Sequence, residues 1–268
     1  MIPHPTPWRR GTVTYERPKI MGILNVTPDS FSDGGRHNAP KEALEHAFRM
    51  VDEGADMIDI GGESTRPGYV PVSAEEEIAR LVPVIRDLAP SIDIPITVDT
   101  MKAEVARAAI DAGAAIVNDI YGLRGPGMLE YVAESGVPAI IMHLRGRPGD
   151  THDEDMEGDA VAIVKTFLSE RIEAALDAGV RESQIITDPG VGFGKTHAQN
   201  LEIVDRSGEF RLGHPVLIGV SRKRFLAHAM PGMDREAASV EMAVRAIGAG
   251  ADIIRTHDVG ALKEAIFR

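Results

Sequence analysis

Short apolar runs alternate with amphipathic helical stretches along the whole chain. The boundary between them repeats: a helical stretch stops at Gly, and a β-branched run follows. It recurs at Glu53-Gly54-Ala55-Asp56, Asp111-Ala112-Gly113-Ala114, Ser135-Gly136-Val137, Asp177-Ala178-Gly179-Val180 and Gly248-Ala249-Gly250-Ala251-Asp252. Gly suits the left-handed residue that ends a helix, and an unbroken apolar run suits a parallel strand covered on both faces. Eight strands are predicted, over residues 20–26, 57–61, 94–99, 114–119, 139–143, 184–188, 215–221 and 252–257. The clearest helix covers residues 73–88, with Ser73 and Glu76 as a capping box and Ile78, Leu81, Val82 and Ile85 on one face. Another covers residues 159–176, with Val164, Phe167, Leu168, Ile172, Ala175 and Leu176 inward.

Strict strand–helix alternation defines a parallel sheet, either open and doubly wound or closed as a (β/α)8 TIM barrel. Eight strands in 268 residues, with no break in composition, favour closure, since such barrels run to roughly 250 residues. The expected architecture is a single-domain α/β barrel over residues 1–268, with residues 1–17 an N-terminal extension or hairpin. Val13 and Tyr15 alternate there as a strand capping the barrel bottom would.

Composition narrows the classes of function. A formal net charge of -12 argues against nucleic acid and anionic lipid as partners. The absence of Cys excludes a disulfide scaffold and thiolate chemistry. No apolar run reaches the roughly 18 residues of a membrane helix, and residues 1–11 do not resemble a signal peptide. A cytoplasmic location is expected. Two motifs fail on inspection. Gly190-Val191-Gly192-Phe193-Gly194-Lys195-Thr196 looks like a phosphate loop, but Pro189 occupies the position reserved for its first Gly. The nine His show no zinc-binding spacing.

The strand ends carry the chemistry. They are Asn25, then Asp59 and the run Gly61-Gly62-Glu63-Ser64-Thr65-Arg66, then Asp99, Asn118-Asp119, His143, Asp188, Ser221-Arg222-Lys223, and finally Arg255 and His257. In a barrel these ends converge on one face, where catalysis is expected. Asn25, Arg255 and His257 belong to the first and last strands and read as an anion site; the alternative is that Arg255 pairs with a carboxylate such as Asp258. Asp99, Asn118, Asp188 and Lys223 form a second group. Two acids, an amide and an amine match the donor–acceptor edge of a heterocycle, or else make a structural salt-bridge cluster. Residues 27–35 and 64–68 are polar, Gly-containing loops on the same face and are expected to act as lids.

The run Met21-Gly22-Ile23-Leu24-Asn25-Val26-Thr27-Pro28-Asp29-Ser30-Phe31-Ser32-Asp33-Gly34-Gly35 resembles the N-terminal signature of the dihydropteroate synthase family. The resemblance continues through Asp59-Ile60-Gly61-Gly62-Glu63-Ser64-Thr65-Arg66-Pro67-Gly68, Val98-Asp99-Thr100, Val117-Asn118-Asp119, the segment from Asp188 to Thr196, Ser221-Arg222-Lys223 and Arg255-Thr256-His257-Asp258. It implies a folate-pathway transferase that joins 6-hydroxymethyl-7,8-dihydropterin diphosphate to 4-aminobenzoate, is inhibited by sulfonamides, uses Mg²⁺ and works as a homodimer. By resemblance, Asp99, Asn118, Asp188 and Lys223 hold the pterin. Asn25, Arg255 and His257 hold the diphosphate, with Asn25 also at the Mg²⁺. Thr65 and Arg66 frame the substrates, Phe193 and Lys223-Arg224 border the aminobenzoate, and Phe31 and Asp33 close over the site. The resemblance gives Asp99, Asp188, Lys223, Asp33 and Phe31 to catalysis. The run Leu144-Arg145-Gly146-Arg147-Pro148-Gly149-Asp150, the acidic stretch after it and Arg224 depart from the family pattern. A corrinoid-type pterin-binding methyltransferase and a noncatalytic paralogue share the barrel. The methyltransferase has no use for the anion site or the 27–35 loop, and no strand-end residue is lost as a noncatalytic paralogue would lose one.

Overall fold

The computed structural model of the chain describes residues 3–27, 39–64, 70–146 and 156–267. It begins with an antiparallel hairpin of β1 (Thr6–Trp8) and β2 (Gly11–Val13). Eight parallel strands follow: β3 (Lys19–Asn25), β4 (Met57–Gly61), β5 (Ile96–Asp99), β6 (Ile116–Asp119), β7 (Ala139–Met142), β8 (Ile185–Asp188), β9 (Leu217–Gly219) and β10 (Ile253–Thr256). Neighbours run in the order β8-β7-β6-β5-β4-β3-β10-β9. A parallel bridge between Thr187 and Val216 joins the two ends, supported by the Thr187 N–H on the Pro215 carbonyl at 2.9 Å. The sheet is thus a closed (β/α)8 TIM barrel.

The helices outside it are α1 (Ala39–Glu53), α2 (Ala74–Leu88), α3 (Ala103–Ala112), α4 (Met128–Ser135), α5 (Ala160–Asp177), α6 (His197–Asp205), α7 (Leu226–Ala229), α8 (Arg235–Gly248) and α9 (Val259–Ile266). Gly136 stops α4 as the sequence predicts, at φ 69°, a conformation that costs glycine little. Ser73 caps α2 by accepting from the Glu76 N–H at 3.2 Å, but the predicted box is half formed, because the Glu76 carboxylate turns to Arg80. The buried face of α2 is Glu77, Leu81, Val84, Ile85 and Leu88; Ile78 and Val82 are only half-buried. The predicted face put apolar residues inward and so missed Glu77, which Lys102 at 2.6 Å makes tolerable inside. α5 buries Val164, Leu168, Ile172 and Ala175 of its predicted face, while Phe167 and Leu176 are half-buried, and Asp159 caps the N–H groups of Val161 and Ala162 at 2.9 and 3.0 Å.

The barrel interior is layered. Met21, Met57, Ile116, Ile140, Ile186, Leu217 and Ile253, one from each of seven strands, pack together with Val13 and Tyr15 of the N-terminal segment. The N-terminal segment therefore caps the barrel bottom, but as the β1–β2 hairpin and the chain after it: β2 ends at Val13 where a strand over residues 12–17 is expected, and Tyr15 lies beyond it with its hydroxyl 2.7 Å from Thr6 Oγ1. Side chains two residues apart share a face of a strand, roughly 7 Å apart along it. Two residues beyond this apolar layer stand Asp59, Asn118, Asp188 and Arg255. One interior face thus changes from oil to charge over the length of a strand.

Candidate active site

The register aligns the polar layer. Asn25 pairs with Gly61, Gly61 with Asp99, and Asp99 with Asn118, in one row across β3 to β6. Gly61 keeps that row open. A Cβ there would stand 3.7 Å from Asn25 Oδ1 and 3.6 Å from Asp99 Oδ2. Two residues before Gly61 on β4 lies Asp59, with no exposed surface. Its Oδ2 accepts from Arg255 Nε at 2.6 Å and Asn118 Nδ2 at 3.1 Å, and its Oδ1 accepts from Thr97 Oγ1. Arg255 Nη2 reaches on to Asp99 Oδ2 at 2.8 Å.

Arg255 therefore pairs with carboxylates, as the alternative reading of the sequence has it, but with Asp59 and Asp99 and not with Asp258, which caps α9 through the Ala261 N–H at 2.9 Å. Nor does it stand apart from the acid–amide group: it crosses the mouth and joins the two predicted groups into one. Two of its five N–H donors are used in doing so. Asp59 was legible only as a strand end, and nothing in its local sequence marked it as the shared acceptor.

Lys223 is placed by a tight turn after β9. Its N–H bonds the Val220 carbonyl at 3.3 Å, and Arg222 takes φ 59°, an uncommon conformation for a side chain of that size. Arg222 points outward to Glu236 at 2.8 Å, while the Lys223 ammonium donates to the Val191 carbonyl and lies 4.6 Å from the centre of the Phe193 ring. Asp188 ends β8 and accepts from the Gly190 N–H at 2.7 Å. Phe193 packs against Ile120, Met142, Leu144 and Tyr121. Ser221 Oγ and His257 Nδ1 are 2.9 Å apart, linking the ends of β9 and β10. Arg224 is exposed. Two strand-end residues serve the scaffold. Asp119 accepts from the N–H groups of Tyr121 and Leu123 at 2.7 and 2.9 Å, and His143 is buried 2.9 Å from Lys195 Nζ. Phe31 and Asp33, with most of the first expected lid, and Thr65 and Arg66, with most of the second, lie outside the described residues.

Burial sets the electrostatics. Burial, and then Asp59, push Asp99 up to about 7, against the pull of Arg255. Burial also lifts Asp188 above the usual carboxylate range, with Lys223 opposing. It brings Lys223 down to about 8, against the attraction of Asp188. For Arg255, burial disfavours the charge and the pairs with Asp59 and Asp99 more than offset it. The mouth thus offers one carboxyl, Asp99, that holds or releases a proton near neutrality, a second, Asp188, raised above its ordinary value, an amide, and two cations.

Carboxylates, an amide and cations gathered around one mouth at the C-terminal ends of the strands give this chain the form of a barrel enzyme's active face. Comparison with known proteins agrees. The family described as pterin binding enzyme matches residues 21–257. The chain is 45% identical over 254 residues to the dihydropteroate synthase of Synechocystis, covering 93% of this chain and 88% of the relative. A structure of Xanthomonas albilineans dihydropteroate synthase with 4-aminobenzoic acid superposes with a TM-score of 0.89 at 45% identity, covering 95% of this chain and 93% of that one. The Burkholderia cenocepacia enzyme complexed with 7,8-dihydropteroate gives 0.90 at 41%, covering 99% and 95%. The chain belongs to the pterin-binding enzymes and, among them, to the dihydropteroate synthase family of transferases.

Proposed function

We propose that the protein condenses 6-hydroxymethyl-7,8-dihydropterin diphosphate with 4-aminobenzoate, giving 7,8-dihydropteroate and diphosphate for folate synthesis. The observation that carries this reading is the ring of Asp99, Asn118, Asp188 and Lys223 around one mouth, with Arg255 crossing it. Carboxylates and an amide oxygen accept from the amino and ring N–H groups of a pterin, and an ammonium donates to its carbonyl. The remaining N–H donors of Arg255, with His257 and Asn25 beside it, supply the diphosphate end.

The bond that breaks joins the pterin methylene to an ester oxygen. Its electron pair leaves with the diphosphate, and the positive charge left on the methylene spreads into the electron-rich ring. Asp188 and Asp99 lie where they stabilise that charge, while Arg255 and His257 stabilise the departing anion. The aniline nitrogen then forms the new C–N bond and gives up one proton. An aromatic amine is neutral at pH 7, so the reaction calls for no strong base or activated nucleophile. Phe193 and the Lys223-Arg224 segment form the wall on which the second substrate docks.

Mg²⁺ fits the residues present. Asn25 offers one neutral oxygen beside the opening that Gly61 keeps clear, and among the described residues no three acidic or imidazole groups converge on a point. Mg²⁺ commonly takes few protein ligands when phosphates supply the rest, so Asn25 would hold an ion that arrives with the diphosphate. Bound there, the ion would neutralise charge on the leaving group. The family reading also makes the enzyme a cytoplasmic homodimer, which sedimentation of the purified protein at several concentrations checks. Among the described residues no helix is long and apolar enough to cross a membrane.

The experiment is an assay of diphosphate release with each substrate omitted in turn and dihydropteroate identified by mass. Release that needs both substrates is expected. Release from the pterin diphosphate alone, or none at all, rejects the synthase reading.

A further inference from the structure

One buried charge has no part in the chemistry proposed above. Lys195 is 2% exposed. Its ammonium lies 2.7 Å from the Gly190 carbonyl oxygen, 3.1 Å from that of Phe193 and 2.9 Å from His143 Nδ1. Burial holds the Lys195 amine well below the usual lysine range, against the attraction of Asp188; protonated, it carries three N–H donors, and with the His143 proton on Nε2 it meets three acceptors here. His143 suits that part, because burial and then Lys195 bring it down to about 2 and keep it neutral.

The loop that Lys195 holds is rich in glycine, and elsewhere it is tied by Asp188 at the Gly190 N–H, by Asn200 at the Gly192 N–H and by Lys223 at the Val191 carbonyl. Gly190, Gly192 and Gly194 take φ of 68°, 84° and 66°, and glycine loses more freedom on folding than any other residue. Phe193 sits between two of them, so the backbone sets where its ring starts, and contact with Ile120, Met142, Leu144 and the Lys223 ammonium completes its placement. That backbone forms a turn, with the Phe193 N–H on the Gly190 carbonyl at 3.1 Å. Lys195 binds the carbonyls at both ends of the turn and ties them to the end of β7 through His143. Gly190 is seated on the same strand end, where a Cβ would collide with the His143 carbonyl oxygen. A phosphate-loop lysine would point at a ligand; this one points into the protein.

The geometry points to Lys195, with His143, as a positioning pair that aims the Phe193 ring at the second substrate while touching neither substrate itself. The inference rests on the reading of Phe193 as a wall of the aminobenzoate pocket. Asp188 and Lys223 are carried by β8 and by the turn after β9, which Lys195 does not bind, although each also touches the loop, Asp188 at the Gly190 N–H and Lys223 at the Val191 carbonyl. Loss of Lys195 therefore falls chiefly on the aromatic amine, whose wall is the loop itself, and less on the pterin, whose partners those two elements also hold.

Steady-state kinetics of Lys195→Met test this, since the substitution keeps the length of the side chain and removes its donors. The KM for 4-aminobenzoate should rise about tenfold while the KM for the pterin diphosphate stays within about twofold, in keeping with what small displacements cost in an active site. In a Phe193→Ala background the same substitution should add less than about twofold, because the ring it aims is gone. Equal rises in both KM values, or effects that multiply in the double variant, overturn the proposal. If Lys195→Met does not fold, His143→Met removes one of the three acceptors and should give the same split at about threefold. An unchanged aminobenzoate KM in that variant overturns the proposal too. Wild-type protein that makes no dihydropteroate in the same assay fails the reading of the site and the inference together, whereas active wild type with unaffected variants fails the inference alone.

Discussion

Asp59 and Lys223 share one barrel mouth, but the consequences of removing them differ. Asp59 is buried and accepts from Thr97, Asn118 and Arg255. Asp59→Ala would leave the half-buried Arg255 guanidinium half paired, and should cost about 3–5 kcal/mol of stability by urea unfolding. Lys223→Ala removes a half-buried cation that donates to the Val191 carbonyl and lies over the Phe193 ring. It should weaken pterin binding by about 1.5–3 kcal/mol in calorimetry, the usual worth of a charge-assisted contact, with little loss of stability. The two results exchanged would reverse the roles assigned here. A pH dependence follows from the same lysine. Lys223 keeps its charge below about 8 and loses it above, so kcat/KM for the pterin diphosphate should fall on the alkaline side of that value. Stability moves the other way. Between there and the ordinary lysine value near 10.4 the unfolded chain holds a proton that the folded one has shed, so rising pH favours the folded state. A rate that stays flat to pH 9.5 or so, well past the expected fall, would show that the charge on Lys223 is not used. The strand-end residues were legible in the sequence because each follows an apolar run. Their partnerships were not. Arg255 and Asp59 are 196 residues apart, and only closure of the barrel brings them together.

At the scale of elements, the barrel separates stability from function along its axis. The N-terminal segment closes the bottom, where Val13 and Tyr15 join the apolar layer of seven strands. Tyr15→Phe removes the hydroxyl bonded to Thr6 and should cost about 1 kcal/mol, the net worth of one buried hydrogen bond. Both KM values should stay at wild-type level, because the site is at the other end of the strands. Thermal unfolding and kinetics on one preparation decide this, and a changed KM would contradict the division. The sequence showed where elements lie better than where they end. Residues 215–221 read as a long strand, yet β9 is Leu217–Gly219, because the turn from Val220 to Lys223 diverts the chain. That turn is functional, since it sets the lysine inward. Face assignment failed at α2 for a similar reason: a hydrophobic pattern has no means of anticipating a buried Glu77 that is paired with Lys102.

Over the whole molecule, the arrangement predicts two substrates meeting across one mouth, a pterin diphosphate against the charged ring and an aromatic amine against Phe193. Sulfonamides copy the aniline and its acidic para group. A sulfonamide should therefore inhibit this enzyme competitively with 4-aminobenzoate in initial-velocity experiments, and an uncompetitive pattern would place the drug elsewhere. The central claim is that the ring at the strand ends holds the pterin and that Asn25, Arg255 and His257 hold its diphosphate. A crystal structure with the pterin diphosphate and Mg²⁺ tests it most directly. The account predicts the ring edge within hydrogen-bond distance of Asn118, Asp188 and Lys223, with the phosphates toward Arg255 and His257. A pterin bound away from these side chains, or in the reverse orientation with its phosphates toward Asn118, would contradict it.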